Sequence, residues 1–176
     1  MSFESMMATA LDYRQYAQKK CNAHYQMSEA AKSKHTKLGV PVTVATAVVG
    51  TAIFATLNSP TQIIWIQIGA GLLSLAAAVL SALQTFFNFS DAAAQHKDAA
   101  ANYEDIRHLL DWFILSYDQA KDQKNLDEPL KTLREIATKM NDAAKKAPSI
   151  PDNVYDAIKV EARVNARVMP YTETSI

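Results

Sequence analysis

Cysteine and histidine are the residues of this sequence best suited to metal binding or nucleophilic chemistry. Cys21 lies three positions before His24, and His35, His96 and His108 follow along the chain. Cys21 and His24 share one helical face, but two ligands do not complete a zinc site. The sequence also lacks a paired C-x-x-C, a phosphate loop, a nucleophile elbow and an HExxH motif. We therefore expect no catalytic residues, no metal, no cofactor and no enzymatic activity.

A second pattern, polar rather than catalytic, runs through the apolar middle of the chain. Small and polar residues recur there at alternating spacings of four and three, which places them on one face of a helix. A shorter row of similar composition precedes them. Together they form a candidate pore-lining or interhelical face, here called the polar stripe: Thr43, Thr46, Gly50, Thr51, Gln67, Gly71, Ser74, Ala78, Ser81 and Thr85.

The polar stripe has two interpretations. Small residues permit close contact between membrane helices, and hydroxyls and amides form hydrogen bonds across that contact. Alternatively, several copies of the chain assemble in a ring and turn the stripe toward a water-filled pore, where Gln and Ser side chains are hydrated. Because the stripe is uncharged, such a pore would select poorly among ions.

The residues around the polar stripe predict two membrane-spanning helices. Residues 38–90 contain no Asp, Glu, Lys, Arg or His, and the turn signal Asn58-Ser59-Pro60-Thr61 divides them. The first span, residues 38–57, would be roughly 30 Å long, which matches a hydrocarbon core. The second, residues 63–89, is longer, so it should tilt or emerge from the membrane as a continuous helix. A short connection makes the two spans an antiparallel hairpin.

Three lysines orient this hairpin. Lys32, Lys34 and Lys37 immediately precede the first span, and the positive-inside rule places such residues in the cytoplasm. We therefore predict a multi-pass protein of the cell inner membrane with both termini cytoplasmic. Pro41 is expected to end or kink the preceding helix, because proline lacks a backbone donor and disfavours helical geometry before it.

The flanks predict cytosolic helices that pack on each other. We divide the chain into a cytosolic N-terminal helix (1–37), the hairpin (38–90) and cytosolic C-terminal helices with a short disordered tail (91–176). The N-terminal segment has six basic and three acidic residues, and the C-terminal segment has 12 and 15, so the two should attract. A heptad pattern forms a cytosolic assembly seam on the 91–117 helix: Ala99, Tyr103, Ile106, Leu110, Phe113 and Tyr117.

Two shorter helices are predicted after this seam. One begins near Pro129, a favoured first-turn residue, and places Leu133, Ile136 and Met140 on one face. The other follows Asp152 as N-cap and runs through Ile158 and Ala162 until Pro170 stops it. We expect the N-terminal helix to pack against the 91–117 helix as a bundle or stalk.

The residues that flank the spans resemble a known bacterial family. Ala23-His24-Tyr25 and Ala30-Ala31-Lys32 precede the first span, and the second is followed by His96, Ala99-Ala100, Tyr103, Ile106-Arg107 and Leu110. This layout resembles the SLATT domains, the SMODS and SLOG-associating two-transmembrane effectors. The resemblance implies an effector of an anti-phage or conflict system that perforates the inner membrane when a nucleotide-based signal is sensed. The sensor would be a partner protein or the helices after Tyr117.

These patterns predict an all-α protein with three possible modes of action. In the first, a homo-oligomer permeabilises the lipid bilayer when a nucleotide-signalling or sensor partner triggers it. The alternative is a non-conducting membrane scaffold whose cytosolic helices dock a partner. In the third, a soluble helical protein buries the hairpin until insertion. The balance of 18 basic and 18 acidic residues argues against nucleic acid as a partner.

Overall fold

The chain folds into α-helices throughout the part that the computed structural model describes, which is residues 2–57, 64–118 and 126–159. The elements in chain order are α1 (Phe3–Leu57), α2 (Ile64–Phe87), α3 (Phe89–Asp118), α4 (Asp127–Lys146) and α5 (Asp152–Ala157). Those residues contain no β-strand, which confirms the all-α prediction. The predicted turn at residues 58–61 lies outside the described residues.

Helix α1 is a single helix of 55 residues that contains Pro41 in its interior. At about 1.5 Å per residue it is roughly 80 Å long. We predicted that Pro41 ends or kinks the helix, and the predicted end is wrong because α1 continues through this residue. Proline removes one backbone hydrogen bond, here the one to the carbonyl of Lys37. The boundary predicted between residues 37 and 38 is not a break in the helix.

Helices α2 and α3 form a second arm of similar length with one local irregularity. Asn88 separates them with a φ of 40°, a left-handed conformation that Asn tolerates better than most residues. The hydrogen-bond ladder continues across it, because Asn88 N donates to Gln84 O at 3.2 Å and Ala92 N donates to Asn88 O at 3.1 Å. Helix α2 thus continues into α3 almost without interruption.

The two arms run antiparallel along their whole described length. Near the middle of α1, the side chains of His35 and Gln84 are 3.3 Å apart. Farther toward the N-terminus, Ser28 Oγ donates to the carbonyl of Ala93 at 2.8 Å. Near the end of the arms, Arg14 forms an ion pair with Asp111. These contacts confirm that the N-terminal helix packs against the 91–117 helix.

The hydrophobic core lies where α1, α3 and α4 meet. Met6, Ala10, Ala17 and Cys21 of α1 pack against the buried seam of α3 and against three residues of α4, namely Leu133, Ile136 and Met140. The predicted face of α4 is therefore confirmed. Cys21, next to Lys20 in the sequence, is one of the buried core residues of α1. Burial of each large side chain contributes on the order of 2 kcal/mol.

Helix α5 is shorter than predicted. Pro151 is its N-cap and Asp152 its first residue, and Ile158 is already extended with a ψ of 111°. The expectation that the helix runs through Ile158 is wrong, while Ala162 and Pro170 lie outside the described residues. Tyr155 anchors α5 on α1, because its ring lies 4.0 Å from Lys19 Nζ and 4.6 Å from Lys20 Nζ.

Candidate functional site

The surface of α2 exposes large apolar side chains that water solvates poorly. Trp65 is 81% exposed at one end of the helix and Phe86 is 82% exposed at the other, with Leu72 and Leu75 exposed between them. Within the described residues, one helical segment, Gln67–Tyr117, contains a stretch long and apolar enough to cross a membrane, and almost none of that stretch is buried. This exposure argues against the interpretation in which a soluble particle shields the hairpin.

The polar stripe lies on the surface of the hairpin rather than between its helices. Nine of its ten residues are exposed, and Gly50 is half-buried. The face of α2 turned toward α1 is the adjacent row, in which Ala77 is buried and Ala70, Leu80 and Gln84 are half-buried. The stripe is rotated by one residue from this row, so contact between α1 and α2 leaves it uncovered.

The threonine hydroxyls of the polar stripe bond within their own helices. Each donates to a carbonyl four residues earlier: Thr43 to Gly39 at 3.0 Å, Thr46 to Val42 at 3.1 Å, Thr51 to Ala47 at 2.8 Å and Thr85 to Ser81 at 3.0 Å. These four hydroxyls therefore do not form the hydrogen bonds across α1 and α2 that one interpretation expected. Internal bonds satisfy their donors and leave acceptor capacity on the surface.

Instead, His35 of α1 and Gln84 of α2 form a polar contact between the two helices. Gln84 Nε2 lies 3.3 Å from His35 Nδ1. A Cβ added at Gly39 would lie 3.1 Å from the same amide nitrogen, so glycine at this position makes room for Gln84. Sequence analysis missed Gln84, although it lies seven residues after Ala77 on the same helical face.

A second polar contact, between His24 and His96, is buried between α1 and α3. His24 is 1% exposed and His96 is 7% exposed, and their Nδ1 atoms are 2.9 Å apart. The His24 ring also stacks on Tyr103, with centroids 5.7 Å apart and planes inclined by 13°. A hydrogen bond between two Nδ1 atoms requires one to carry hydrogen and the other to accept it, so the pair is satisfied when both rings are neutral.

Burial keeps this pair uncharged near neutral pH. Loss of solvent lowers the pKa of His24 to about 4, and the nearby His96 and Lys20 contribute to that shift. Burial also lowers the pKa of His96. The pKa of the neighbouring Cys21 thiol is raised, mainly by burial and then by Glu104, which disfavours the reactive thiolate.

No group of three or more His, Cys, Asp or Glu side chains in the described residues is arranged to hold a metal ion. His24 and His96 pack between the arms, and His108 lies on the exposed surface beside Arg107, with its Nε2 2.7 Å from Arg107 Nη2.

The residues of the cytosolic assembly seam are packed against other helices of the same chain. Ala99, Tyr103, Ile106, Leu110 and Phe113 are buried, and Tyr117 is half-buried. Their contacts with α1 and α4 hold these three helices together. A role for this seam in assembly between copies stays a prediction, and it would require these contacts to be exchanged for contacts with another chain.

The exposed apolar helix α2 lies beside α1, and α1 continues into a bundle with α3 and α4. This layout is expected of a two-transmembrane effector. The family model for SMODS and SLOG-associating 2TM effector domain family 4 matches residues 7–163. The chain belongs to this family. The SLATT match extends from the start of α1 past the end of α5, and it confirms the resemblance found from the flanking residues. No curated protein and no solved structure matches the chain. SLATT membership supports membrane association and an effector role in a conflict system.

Proposed function

We propose that the chain is an inner-membrane effector of an anti-phage or conflict system whose oligomers permeabilise the bilayer when triggered. It crosses the membrane twice, has both termini in the cytoplasm and catalyses no reaction. The observation that carries this proposal is the exposure of the polar stripe beside the exposed apolar face of α2.

Two crossings are supported by the length of α2 and by its ends. A helix of 24 residues is about 36 Å long, enough to cross a hydrocarbon core with some tilt. The exposed Trp65 and Phe86 lie at opposite ends, where aromatic side chains favour the two membrane interfaces. Helix α1 runs alongside through its charge-free half, and Lys32, Lys34 and Lys37 hold its other half on the cytoplasmic side.

Assembly of several copies is supported by the cost of leaving the polar stripe in contact with lipid. In a single hairpin, the exposed amide of Gln67 and the hydroxyl of Ser74 would contact lipid, where an unsatisfied polar group is costly. Contact between copies, or a shared water-filled pore, satisfies these groups. Because α1 and α2 pack through a different row, the stripe is available for either arrangement.

The trigger is proposed to come from a nucleotide-signalling or sensor partner. The cytosolic bundle of α1, α3 and α4 is the surface available to such a partner. Helix α1 belongs both to this bundle and to the hairpin. A displacement of α1 in the bundle would therefore be transmitted to the membrane.

Dye release from vesicles tests the proposal. The full chain, reconstituted at high protein-to-lipid ratio to favour assembly, is expected to release an encapsulated self-quenched dye. Gln67→Leu and Ser74→Leu should reduce release several-fold, because each removes a polar group from the stripe. Val79→Leu is the matched control on the exposed apolar face and should retain wild-type release.

The alternative is a non-conducting scaffold whose cytosolic helices dock a partner. It is favoured by the extent of the three-helix core, which forms a stable docking unit without any pore. Stable oligomers that never release dye at any protein density would support the scaffold and overturn the pore.

A further inference from the structure

A polar groove opens at the end of α2 that the lysines place on the cytoplasmic side. It is an open groove of about 500 Å³ at the junction of α1, α2 and α3. Its lining includes His35, Ser81, Gln84, Thr85, Phe89 and Ser90. The hydroxyls of Ser81 and Ser90 donate no hydrogen bond to another described residue. The groove therefore offers donors at the boundary between the charge-free and the charged parts of the chain.

The rim of this groove carries uncompensated positive charge. Residues 30–90 contain Lys32, Lys34 and Lys37 but no Asp or Glu. Lys34 Nζ lies 5.9 Å from the centre of the Phe89 ring, which lines the groove, so this ammonium group reaches the rim. Of the two flanking acids, Glu29 lies 4.0 Å from Lys32, and Asp91 accepts a hydrogen bond from Gln95 at 2.8 Å.

The surroundings of the groove favour a ligand that is partly lipid. Phe86 and Phe87 are exposed next to it, so an acyl chain beside the groove would meet aromatic rings rather than water. Polar donors and a cation lie at the same level along α2 and α1. A phosphate group attached to acyl chains satisfies both kinds of surface, whereas a free anion satisfies only the donors and the cation.

We propose that this groove binds the phosphodiester headgroup of an anionic phospholipid from the cytoplasmic leaflet, an inference that rests on the proposed membrane crossing. Lys34 pairs with the phosphate, and the Ser90 hydroxyl donates to one of its oxygens, while Ser81 lines the far end of the groove. Ser81 and Thr85 also belong to the polar stripe, so the bound headgroup lies at the cytoplasmic end of that stripe.

Lipid association in reconstituted membranes tests this site. The full chain is placed in phosphatidylcholine vesicles that contain trace spin-labelled phosphatidylglycerol or spin-labelled phosphatidylcholine, and electron paramagnetic resonance gives the immobilised fraction of each. We expect preference for phosphatidylglycerol in the wild type. Lys34→Gln should reduce the preference about ten-fold, because it removes a charge-assisted hydrogen bond to the phosphate as well as one surface charge. Ser90→Ala should also reduce it.

Lys37→Gln is the matched control, because it removes one charge at the same membrane level. Lys37 is exposed and is two residues from His35, on the side of α1 turned away from the groove. It should change the preference by no more than about five-fold, the approximate effect of one cation at a membrane surface. Equal losses from Lys34→Gln and Lys37→Gln would indicate diffuse attraction and overturn the site, as would a wild type without preference.

Two further measurements distinguish failure of the lipid-binding groove from failure of the proposed membrane crossing. If glycerol phosphate in the buffer abolishes the preference at a concentration below that of the labelled lipid, then the groove takes a soluble phosphate and the lipid assignment is wrong. Immobilised lipid of both kinds without preference overturns only the groove. The absence of any immobilised lipid would instead contradict the proposed membrane crossing.

Discussion

Acidification should weaken the contact between α1 and α3 through the buried His24–His96 pair. The two Nδ1 atoms are 2.9 Å apart, so two protonated rings would direct N–H groups at each other. A single protonation would place a charge where His24 is 1% exposed and stacks on Tyr103. In the unfolded chain both rings are free to take up protons, and low pH therefore favours unfolding.

The size of the effect follows from the pKa of His24. It falls from an ordinary value of 6.5 to about 4 in the folded chain, and each pKa unit corresponds to about 1.4 kcal/mol. The pair therefore contributes on the order of 3 kcal/mol of stability at neutral pH. This contribution is fully present above about pH 6.5 and is lost as the pH falls toward 4, because the unfolded state binds the proton first. The pKa of His96 is lowered as well, which changes stability in the same direction.

Thermal unfolding in detergent between pH 7.5 and 4 measures this loss. A change of about 3 kcal/mol corresponds to a decrease in Tm of roughly 6–12 °C for a chain of this size. Carboxylates also titrate in this range, so the comparison is with the double variant His24→Phe and His96→Phe. This variant retains ring stacking, removes both titratable groups and should lose much less Tm on acidification.

His108→Gln is the control, because His108 is exposed and its replacement should leave the wild-type pH dependence intact. An identical decrease in Tm for the wild type and the double variant would refute the reasoning. A wild-type Tm that is constant from pH 6.5 to 4.5 would refute it as well.

Two further variant pairs test packing in the bundle and in the hairpin. Leu110 is fully buried, so Leu110→Ala should reduce the free energy of unfolding by about 2–5 kcal/mol. Leu115 is 41% exposed on the same helix, so Leu115→Ala should reduce the free energy of unfolding by less than about 1 kcal/mol. Chemical denaturation measures the free energy of unfolding of both variants. Gly39→Val should displace Gln84 and lower Tm more than Gly50→Val, because Gly50 has no atom within 4 Å of an added Cβ. Equal Tm values for the two valine variants would contradict the close approach at Gly39.

Hydrophobic periodicity in the sequence predicted which helix faces are buried, and the opposite net charges of the two flanks predicted that α1 packs on α3. The seam from Ala99 to Phe113 is buried against α1, and the face of α4 around Ile136 is buried as expected. These predictions succeeded because a helical period identifies a buried face whatever its partner is.

The features that sequence analysis missed depend on register and on tertiary support. His24 meets His96, and His35 meets Gln84, only because the arms align in one antiparallel register, which neither helix encodes alone. Pro41 remains inside α1, although its local preference is to end a helix. The sequence shows that the polar stripe follows one face of each helix. It does not show which neighbouring row of α2 packs against α1, and that choice decides that the stripe faces away from α1.

The central claim is that the apolar hairpin crosses a bilayer twice and leaves the bundle in the cytoplasm. Its most direct test is labelling of single cysteines by a maleimide attached to a large polyethylene glycol, in a Cys21→Ala background. Ile64→Cys at the start of α2 and Asn102→Cys on the exposed face of α3 are compared in intact spheroplasts and after membrane disruption. We expect position 64 to be labelled in intact spheroplasts and position 102 only after disruption. Labelling of both positions, or of neither, in intact spheroplasts would contradict the account.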